Sequence, residues 1–320
     1  MTSINDLFSR KTMSQPTFKH RIEQVRKLLA KANHVLIGAG SGLSAAAGLD
    51  YGGVEFKQEF HEWIERYGFK DLYSSSFYPF RTEEEKWAYW AKHIWFTRYR
   101  IEGMELYQQL FDLVKDKNYF VITTNVDAQF EKSGFDKERI FATQGDYAYF
   151  QAKGGENKKL VYNEEWVKQA IEATVDCRIP TALIPHHPDT DEALSPNLRC
   201  DSFFVEDEHW HQQAEKYQDF VLKGSKKSML LLEFGVGFNT PTIIRFPFEQ
   251  MAGNFEKATL VRFNRDYPQL TTPYVTRYIA FQERLDQSLL QAIANGNETS
   301  FSVATIPVGQ VGIYRIKMFE

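Results

Sequence analysis

Apolar residues recur along the chain in two spacings, which predict an amphipathic helix followed by a series of buried strands. In residues 17–33, Ile22, Val25 and Leu29 recur at helical spacing, with lysine and arginine on the opposite face. Apolar runs bounded by glycine or polar residues are typical of strands buried in a parallel sheet. Such runs occupy residues 35–37, 119–124, 229–234 and 259–263, and a shorter strand edge occupies 139–142.

Each of these runs ends in a turn that carries glycine or polar side chains. Ligands of open parallel sheets bind beyond the carboxyl ends of the strands. We therefore expect the turns to converge on one crevice of an α/β fold, a doubly wound, Rossmann-like parallel sheet. The converging positions are residues 40–44, Asn125, Asp127, Gln144, residues 235–240 and Asn264.

The first turn is the richest in glycine. Residues 34–53 read HVLIGAGSGLSAAAGLDYGG, so a buried strand breaks at Gly38, Gly40 and Gly42 and restarts as a helix of small residues. Glycine allows close approach of the backbone, and the free N–H groups of a new helix attract anions. The pattern G-x-G-x-x-A predicts a phosphate cradle. A glycine-rich turn with no ligand is the alternative.

The strands divide the chain into segments. A dinucleotide-binding fold normally places a second strand soon after the first helix, but the next strand here begins at residue 119. We assign 1–50, 119–150 and 225–320 to the Rossmann-like domain. The packing of residues 267–320 stays open, and their last part, FSVATIPVGQVGIYRIKMFE, suggests β-structure. Residues 51–118 form a helical insertion, whose aromatic residues form a core or, alternatively, a ligand groove. Residues 151–224 form a small module.

Composition narrows the class of protein. Of the 320 residues 43% are hydrophobic, the net charge is −4 and the pI is about 6.1, so a sizeable core is expected and nucleic-acid binding is not. No apolar run has the length of a membrane span, and the N-terminus lacks the apolar core of a signal peptide. With only two cysteines, we expect a soluble, cytoplasmic protein in a reducing compartment.

The order of the motifs resembles that of the sirtuin family of NAD-consuming enzymes. Residues 40–49, GSGLSAAAGL, resemble the family's glycine loop, and 123–127, TTNVD, resemble T-Q-N-I-D. Residues 142–145, ATQG, stand where the family has E-x-H-G with its catalytic histidine. Residues 235–237, GVG, are similar to G-T-S, and 263–266, FNRD, to I-N-x-E. The resemblance implies NAD as cofactor and covers residues 34–266.

Three departures indicate a particular branch. Residues 50–53 replace the family's P-D-F-R, both zinc-binding Cys-x-x-Cys pairs are absent, and Gln144 replaces the histidine. This combination resembles the macrodomain-associated bacterial sirtuins. The resemblance implies protein mono-ADP-ribosylation in place of deacylation, on a lipoyl-carrier acceptor like the glycine-cleavage H protein, with a macrodomain hydrolase as partner. We expect no metal, since the soft ligands that remain lack the spacing of a zinc ribbon. They are Cys177, His186, His187 and Cys200.

Three residues are the candidates for catalysis. Gln144 cannot act as a general base, because an amide carries no transferable proton, so we expect it to orient ribose hydroxyls or an acceptor; the alternative is an ordinary turn residue. Asn125 is expected to hold the nicotinamide ribose or a water, or to cap the next helix. Arg199 is expected to grip a carboxylate or phosphate, or to be a solvated surface residue.

Other residues are expected to contact NAD. Asp127 binds the nicotinamide amide or caps the next helix, and Ser41, Ser44, Thr240 and Asn264 contact phosphate and the adenosine ribose. The full set assigned to NAD is Gly40, Ser41, Gly42, Ser44, Gly48, Asn125, Asp127, Gln144, Gly235, Gly237, Thr240, Asn264 and Arg265.

Rival functions are a lysine deacylase with another base, a non-catalytic NAD sensor and a dehydrogenase. The dehydrogenase is disfavoured, because the acidic ribose-binding residue and the early second strand are missing.

Overall fold

The computed structural model describes residues 16–49 and 51–295 and shows a six-stranded parallel sheet of order β3-β2-β1-β7-β8-β9. Its strands are β1 (His34–Ala39), β2 (Tyr119–Thr123), β3 (Ile140–Ala142), β7 (Met229–Phe234), β8 (Ala258–Phe263) and β9 (Tyr278–Phe281). This is the strand order typical of dinucleotide-binding folds, and it reverses direction between β1 and β7. The predicted α/β doubly wound sheet is therefore confirmed.

Helices cover both faces of this sheet. On one face, Val35 and Ile37 of β1 pack in a core shared with α1, α2, α7 and α12; on the other, Leu36 packs in a core shared with α10 and α11. The central strands read as unbroken apolar runs because both faces are buried. The helices of the main domain are α1 (Phe18–Lys31), α2 (Ser41–Ala47), α7 (Glu105–Val114), α8 (Gln129–Lys132), α10 (Glu208–Gly224), α11 (Arg245–Asn254) and α12 (Gln287–Asn295).

The segment between β1 and β2 is helical. It contains α3 (Val54–Glu59), α4 (His61–Tyr67), α5 (Leu72–Ser75), α6 (Glu83–Ile94) and a π-helical turn at Trp95–Tyr99. Its aromatic rings pack on one another: Phe60 contacts Trp63, Tyr89 and Phe96, with ring centroids 5.5–6.1 Å apart. These rings form a core rather than a ligand groove, which is one of the two alternatives left by the sequence.

A second, antiparallel sheet forms the small module. It has the order β5-β4-β6, with β4 at Gly145–Ala152, β5 at Val161–Tyr162 and β6 at Leu194–Leu198, and α9 (Glu164–Glu172) packs beside it. Trp87 of α6 contacts Phe150 and Trp166, so the module is joined to the helical insertion through aromatic rings.

The segment boundaries differ from those assigned from the sequence in three places. One is α7, which lies within residues 51–118 but packs on the main sheet. The module's sheet begins at Gly145, where the chain reverses directly after β3, and α10 packs on the main sheet rather than on the module. The main sheet holds α10 because Phe220 fits against Phe120. Beyond residue 267, β9 and α12 complete the main domain, whereas residues 296–320 lie outside the described residues. No helix in the described part of the chain is long and apolar enough to cross a membrane.

One histidine is buried inside the insertion. His93 lies between the rings of Trp90 and Tyr147, and its Nδ1 is 2.9 Å from the hydroxyl of Tyr89. Tyr89 donates its proton to the carbonyl oxygen of Leu72, so Nδ1 of His93 carries the hydrogen of the pair. Nε2 of His93 is buried without a hydrogen-bond partner. Burial lowers the pKa of His93 to about 3.

This histidine makes stability depend on pH. Below its unfolded pKa of 6.5 the unfolded chain binds a proton that the folded chain, with a pKa of about 3, does not, so the free energy of unfolding falls as the pH falls. We expect wild type to lose about 2 kcal/mol more than His93→Gln between pH 7 and pH 5, measured by urea denaturation. Equal pH dependence in the two proteins would show that folding does not lower the pKa of His93.

Candidate functional site

Two glycine-bearing turns meet at the point where the strand order reverses. The N–H of Gly40, after β1, donates to Phe234 O at 3.0 Å, and the N–H of Gly42 donates to Gly235 O at 3.1 Å. Gly235, directly after β7, has the left-handed φ of +58°. The two turns are therefore bonded to each other through their backbones.

A side chain cannot be placed between these turns. A Cβ on Gly42 would lie 2.7 Å from both Cα and O of Gly235, and one on Gly235 would lie 2.4 Å from the carbonyl carbon of Gly42. These neighbours are backbone atoms and cannot rotate away. We call this contact among Gly40, Gly42 and Gly235 the glycine interlock. It requires glycine even before a ligand is considered.

The interlock changes the expected role of the α2 N-terminus. The N–H of Gly42 was expected to face a phosphate, but it is bonded to Gly235, and the N–H of Leu43 is bonded to Gly40 O. Ser41 is exposed at the first position of the helix, where the N–H has no intrahelical partner. A Cβ added at Gly237 would meet no heavy atom within 4 Å. Ser41 and the turn at Gly237 are therefore the groups left to contact an anion.

Four polar side chains form a buried network behind the turn that follows β1; they are Ser44, Tyr107, Asn125 and Asp127. Ser44 Oγ donates to Asp127 Oδ2 at 2.6 Å and lies 2.7 Å from the hydroxyl of Tyr107. Asn125 Nδ2 lies 3.1 Å from Gly40 O, 3.1 Å from Ser44 Oγ and 3.2 Å from Tyr107 Oη. Three of the expected NAD contacts, Ser44, Asn125 and Asp127, are thus brought together, but Ser44 is turned inward on protein groups rather than toward a phosphate.

Asp127 uses both carboxylate oxygens. Oδ2 is bonded to Ser44, and Oδ1 accepts the N–H of Gln129, the first residue of α8, at 3.0 Å. Asp127 thus bonds the first N–H of α8 from the position before its N-cap, Ala128, and a nicotinamide amide would compete with Ser44 for the other oxygen. Burial raises the pKa of Asp127, against the opposing effect of these two hydrogen bonds. Tyr51 lies in the segment that replaces P-D-F-R. Burial raises the pKa of Tyr51, and the nearby charge of Asp127 raises it further.

Tyr107 was not predicted. It lies on the buried face of α7 with Leu110 and Val114, a spacing that indicates core. The only signal in the sequence is chemical, since a buried phenol needs a hydrogen-bond partner.

Gln144 is fixed by its backbone, while its side chain bonds to none of the described residues. Thr123 and Ala142 are register partners in β2 and β3, so Asn125 and Gln144 follow adjacent strands at the same edge of the sheet. Gln144 O accepts the N–H of Arg199 at 2.9 Å. The next residue, Gly145, has φ of +99°, and a Cβ there would lie 2.1 Å from Asn197 O. Among the described residues, none is hydrogen-bonded to the Gln144 carboxamide.

The guanidinium of Arg199 is held on one side by protein groups. Its Nη2 is paired with Glu206 at 2.5 Å, its Nε donates to Thr143 O at 3.3 Å, and its guanidinium lies 4.3 Å from the ring centroid of Phe204. It is therefore neither a solvated surface residue nor wholly free to grip an anion. Nη1 has no partner within the part of the chain that the structure describes, and this is the atom that can meet a ligand.

The turns after β7 and β8 are braced together. Asn264 Nδ2 donates to Val236 O at 2.8 Å, and its Oδ1 accepts the N–H of Tyr267 at 2.9 Å, so its amide supports the crevice wall rather than reaching into it. Thr240 is exposed. Arg265 is exposed and paired with Asp266, which differs from the expected inward contact.

Gly48 has a structural role. It ends α2 with a left-handed φ of +115°, and its N–H is bonded to Ala45 O. Glycine is favoured at such a helix end because it has no Cβ to clash.

A buried ion cluster anchors these turns. Arg262 binds Glu233 through Nε at 2.7 Å and Glu249 through Nη2 at 2.8 Å, and all three side chains are fully buried. Arg245 donates to Tyr267 O at 2.9 Å. Sequence reasoning missed this cluster, although Glu233 and Arg262 stand alone in apolar runs and are register partners in β7 and β8.

No site for a metal is present among the described residues: no three His, Cys, Asp or Glu side chains are grouped to hold an ion. Cys177 is buried and Cys200 is exposed, and both are free thiols. His186 and His187 bond to their own loop and to Asn157.

Sirtuins share this fold among solved structures. One, described as the structural basis for the mechanism and regulation of Sir2 enzymes, superposes with a TM-score of 0.53 at 14% identity, covering 86% of this chain and 96% of that one. A Sir2 complex with a p53 peptide and NAD+ gives a TM-score of 0.51 at 13% identity, covering 86% and 98%. These identities show the fold alone, and the fold is that of the sirtuins.

Two curated relatives carry the name ADP-ribosyltransferase. The chain is 29% identical over 278 residues to a protein ADP-ribosyltransferase of Staphylococcus aureus (strain Mu50 / ATCC 700699), covering 87% of this chain and 88% of that protein. It is 30% identical over 236 residues to a probable bifunctional ADP-ribose hydrolase/ADP-ribosyltransferase of Fusarium oxysporum f. sp. cubense, covering 71% of this chain and 39% of that protein. No protein-family model matches. Together the similarities support a sirtuin-type ADP-ribosyltransferase, which confirms the resemblance predicted from the motifs.

The interlock predicts a large effect of one methyl group. Gly42→Ala should lower the free energy of unfolding by about 2 kcal/mol, because the added Cβ overlaps the backbone at Gly235. Gly154→Ala is the matched control, since a Cβ there meets nothing within 4 Å. Urea denaturation measures both. If the two variants are equally stable, the turns are not in contact as described.

Proposed function

We propose that this chain is an NAD-dependent protein mono-ADP-ribosyltransferase. The observation that carries the proposal is the Gln144 carboxamide, which no described residue bonds and which follows β3 as Asn125 follows the adjacent β2, at one edge of a sirtuin-type sheet. NAD supplies the ADP-ribosyl group and leaves as nicotinamide. The S. aureus relative named as a protein ADP-ribosyltransferase supports the same activity.

The turns that meet at the reversal of strand order are suited to NAD. The glycine interlock brings the ends of β1 and β7 close together at the reversal of strand order, where dinucleotides bind in such folds. Ser41 and the open turn at Gly237 would hold the pyrophosphate. Asn125 and Gln144 would hold the nicotinamide ribose, since both side chains are buried at the sheet edge and retain polar atoms for hydrogen bonds.

Gln144 decides which reaction follows. A lysine deacylase requires a base that removes a proton from the ribose hydroxyls, which histidine does near neutral pH. Glutamine donates and accepts hydrogen bonds but takes up no proton at ordinary pH. Transfer to an acceptor that brings its own nucleophile needs orientation only. The geometry therefore favours ADP-ribosyl transfer over deacylation.

The acceptor we propose is a small lipoyl-carrier protein like the glycine-cleavage H protein. Nη1 of Arg199, which bonds to no described residue, would bind an acidic group of such an acceptor. We further propose that a macrodomain hydrolase removes the modification; the Fusarium relative is named as combining an ADP-ribose hydrolase with an ADP-ribosyltransferase. The free thiols of Cys177 and Cys200 agree with a cytoplasmic site of action.

The test is transfer from labelled NAD. With a lipoylated H-like protein we expect labelled acceptor and an equal amount of released nicotinamide. Asn125→Ala should lower both by about 100-fold, because it removes an amide aimed at the reacting ribose. Asn254→Ala, at the exposed end of α11, is the matched control and should retain full activity. Mass spectrometry of the acceptor and quantification of nicotinamide are the measurements.

Each rival function gives a different result in the same assay. Turnover of acetyl-lysine by wild type would indicate a deacylase, whereas its appearance only in Gln144→His would support the proposed role of Gln144. NAD binding without nicotinamide release would indicate a sensor. Formation of reduced nicotinamide would indicate a dehydrogenase.

A further inference from the structure

The hydroxyl of Tyr107 is a buried polar group that no motif explains. It comes from α7, the main-domain helix that precedes β2, and lies 2.7 Å from Ser44 Oγ and 3.2 Å from Asn125 Nδ2. Its ring packs edge-on against Phe130 with centroids 4.9 Å apart. Packing alone would be served equally well by phenylalanine, so the hydroxyl requires a separate explanation.

The directions of the hydrogen bonds follow from counting protons. Asp127 accepts at both oxygens, from Gln129 N–H and from Ser44, which agrees with a carboxylate. Ser44 has one proton and donates it to Asp127 at 2.6 Å. It must therefore accept from Tyr107. With its own proton used on Ser44, the oxygen of Tyr107 is left to accept from Asn125.

This chain of bonds uses the amide hydrogens of Asn125. One Nδ2 hydrogen is directed to Gly40 O at 3.1 Å and the other to the side of Tyr107 and Ser44. If the Asn125 amide were flipped, its Oδ1 would be in contact with another oxygen, Gly40 O. Oδ1 of Asn125 is bonded to no described residue, and it is the atom left for a ligand.

Resting on the function proposed above, we propose that Tyr107 is a positioning residue for ADP-ribosyl transfer. Its hydroxyl and Gly40 O together hold the Asn125 amide so that Oδ1 is presented to the nicotinamide ribose as a hydrogen-bond acceptor. The ribose hydroxyls are donors, so the amide is set for its ligand before the ligand binds. Through Tyr107, α7 thus supports the reaction centre directly.

The kinetic test is Tyr107→Phe, which removes only the hydroxyl. We expect kcat for acceptor labelling to fall about tenfold, the equivalent of one hydrogen bond, while KM for NAD changes little. Tyr99→Phe is the matched control, because that hydroxyl bonds Asn163 at 2.7 Å, outside the network. A kcat for Tyr107→Phe equal to that of Tyr99→Phe would overturn the proposal.

A second readout does not require activity. In nuclear magnetic resonance spectra of ¹⁵N-labelled protein, the Asn125 side-chain amide is identified by its absence in Asn125→Asp. We expect one Nδ2 hydrogen to shift upfield and exchange faster in Tyr107→Phe, and neither to change in Tyr99→Phe. An unchanged Asn125 signal in Tyr107→Phe would overturn the proposal even if kcat fell. If wild type transfers no ADP-ribose, the proposed function fails, while this spectrum alone decides the orientation of the amide.

Discussion

The glycine interlock is the contact on which the rest of the site depends. It joins the ends of β1 and β7 through backbone hydrogen bonds, with no room for a Cβ at Gly42 or Gly235. This contact fixes where α2 starts, and α2 carries Ser44 into the buried network. A crevice at the reversal of strand order follows from the topology. On one side lies the half-buried contact of Gly42 with Gly235, and on the other lies the fully buried Glu233–Arg262 pair.

The candidate site beside these contacts presents two amide side chains. Asn125 and Gln144 follow adjacent strands and present polar atoms that no described residue bonds, and neither can remove a proton at ordinary pH. The ionisable groups nearby are engaged or buried: Asp127 is bonded at both oxygens, and burial raises the pKa of Tyr107 well above its usual value. Such a site can orient a ribose and an acceptor, and must leave proton removal to the acceptor.

The sequence predicted the sheet because its central strands are unbroken apolar runs that end in glycine or polar turns. It also placed Asn125 and Gln144 at one edge, since carboxyl ends of parallel strands meet. It could not show that Ser44 turns inward, because its partner Tyr107 arrives from a distant helix whose spacing indicates core. Nor could it show that Arg199 is half engaged, since that depends on Glu206 and nearby rings in three dimensions.

The decisive measurement is a crystal structure of the chain with NAD. We expect the pyrophosphate between Ser41 and the turn at Gly237, and the nicotinamide ribose within hydrogen-bond distance of Asn125 Oδ1 and the Gln144 carboxamide. The glycine interlock should be unchanged on binding. NAD bound elsewhere, or a ribose facing away from both amides, would contradict it.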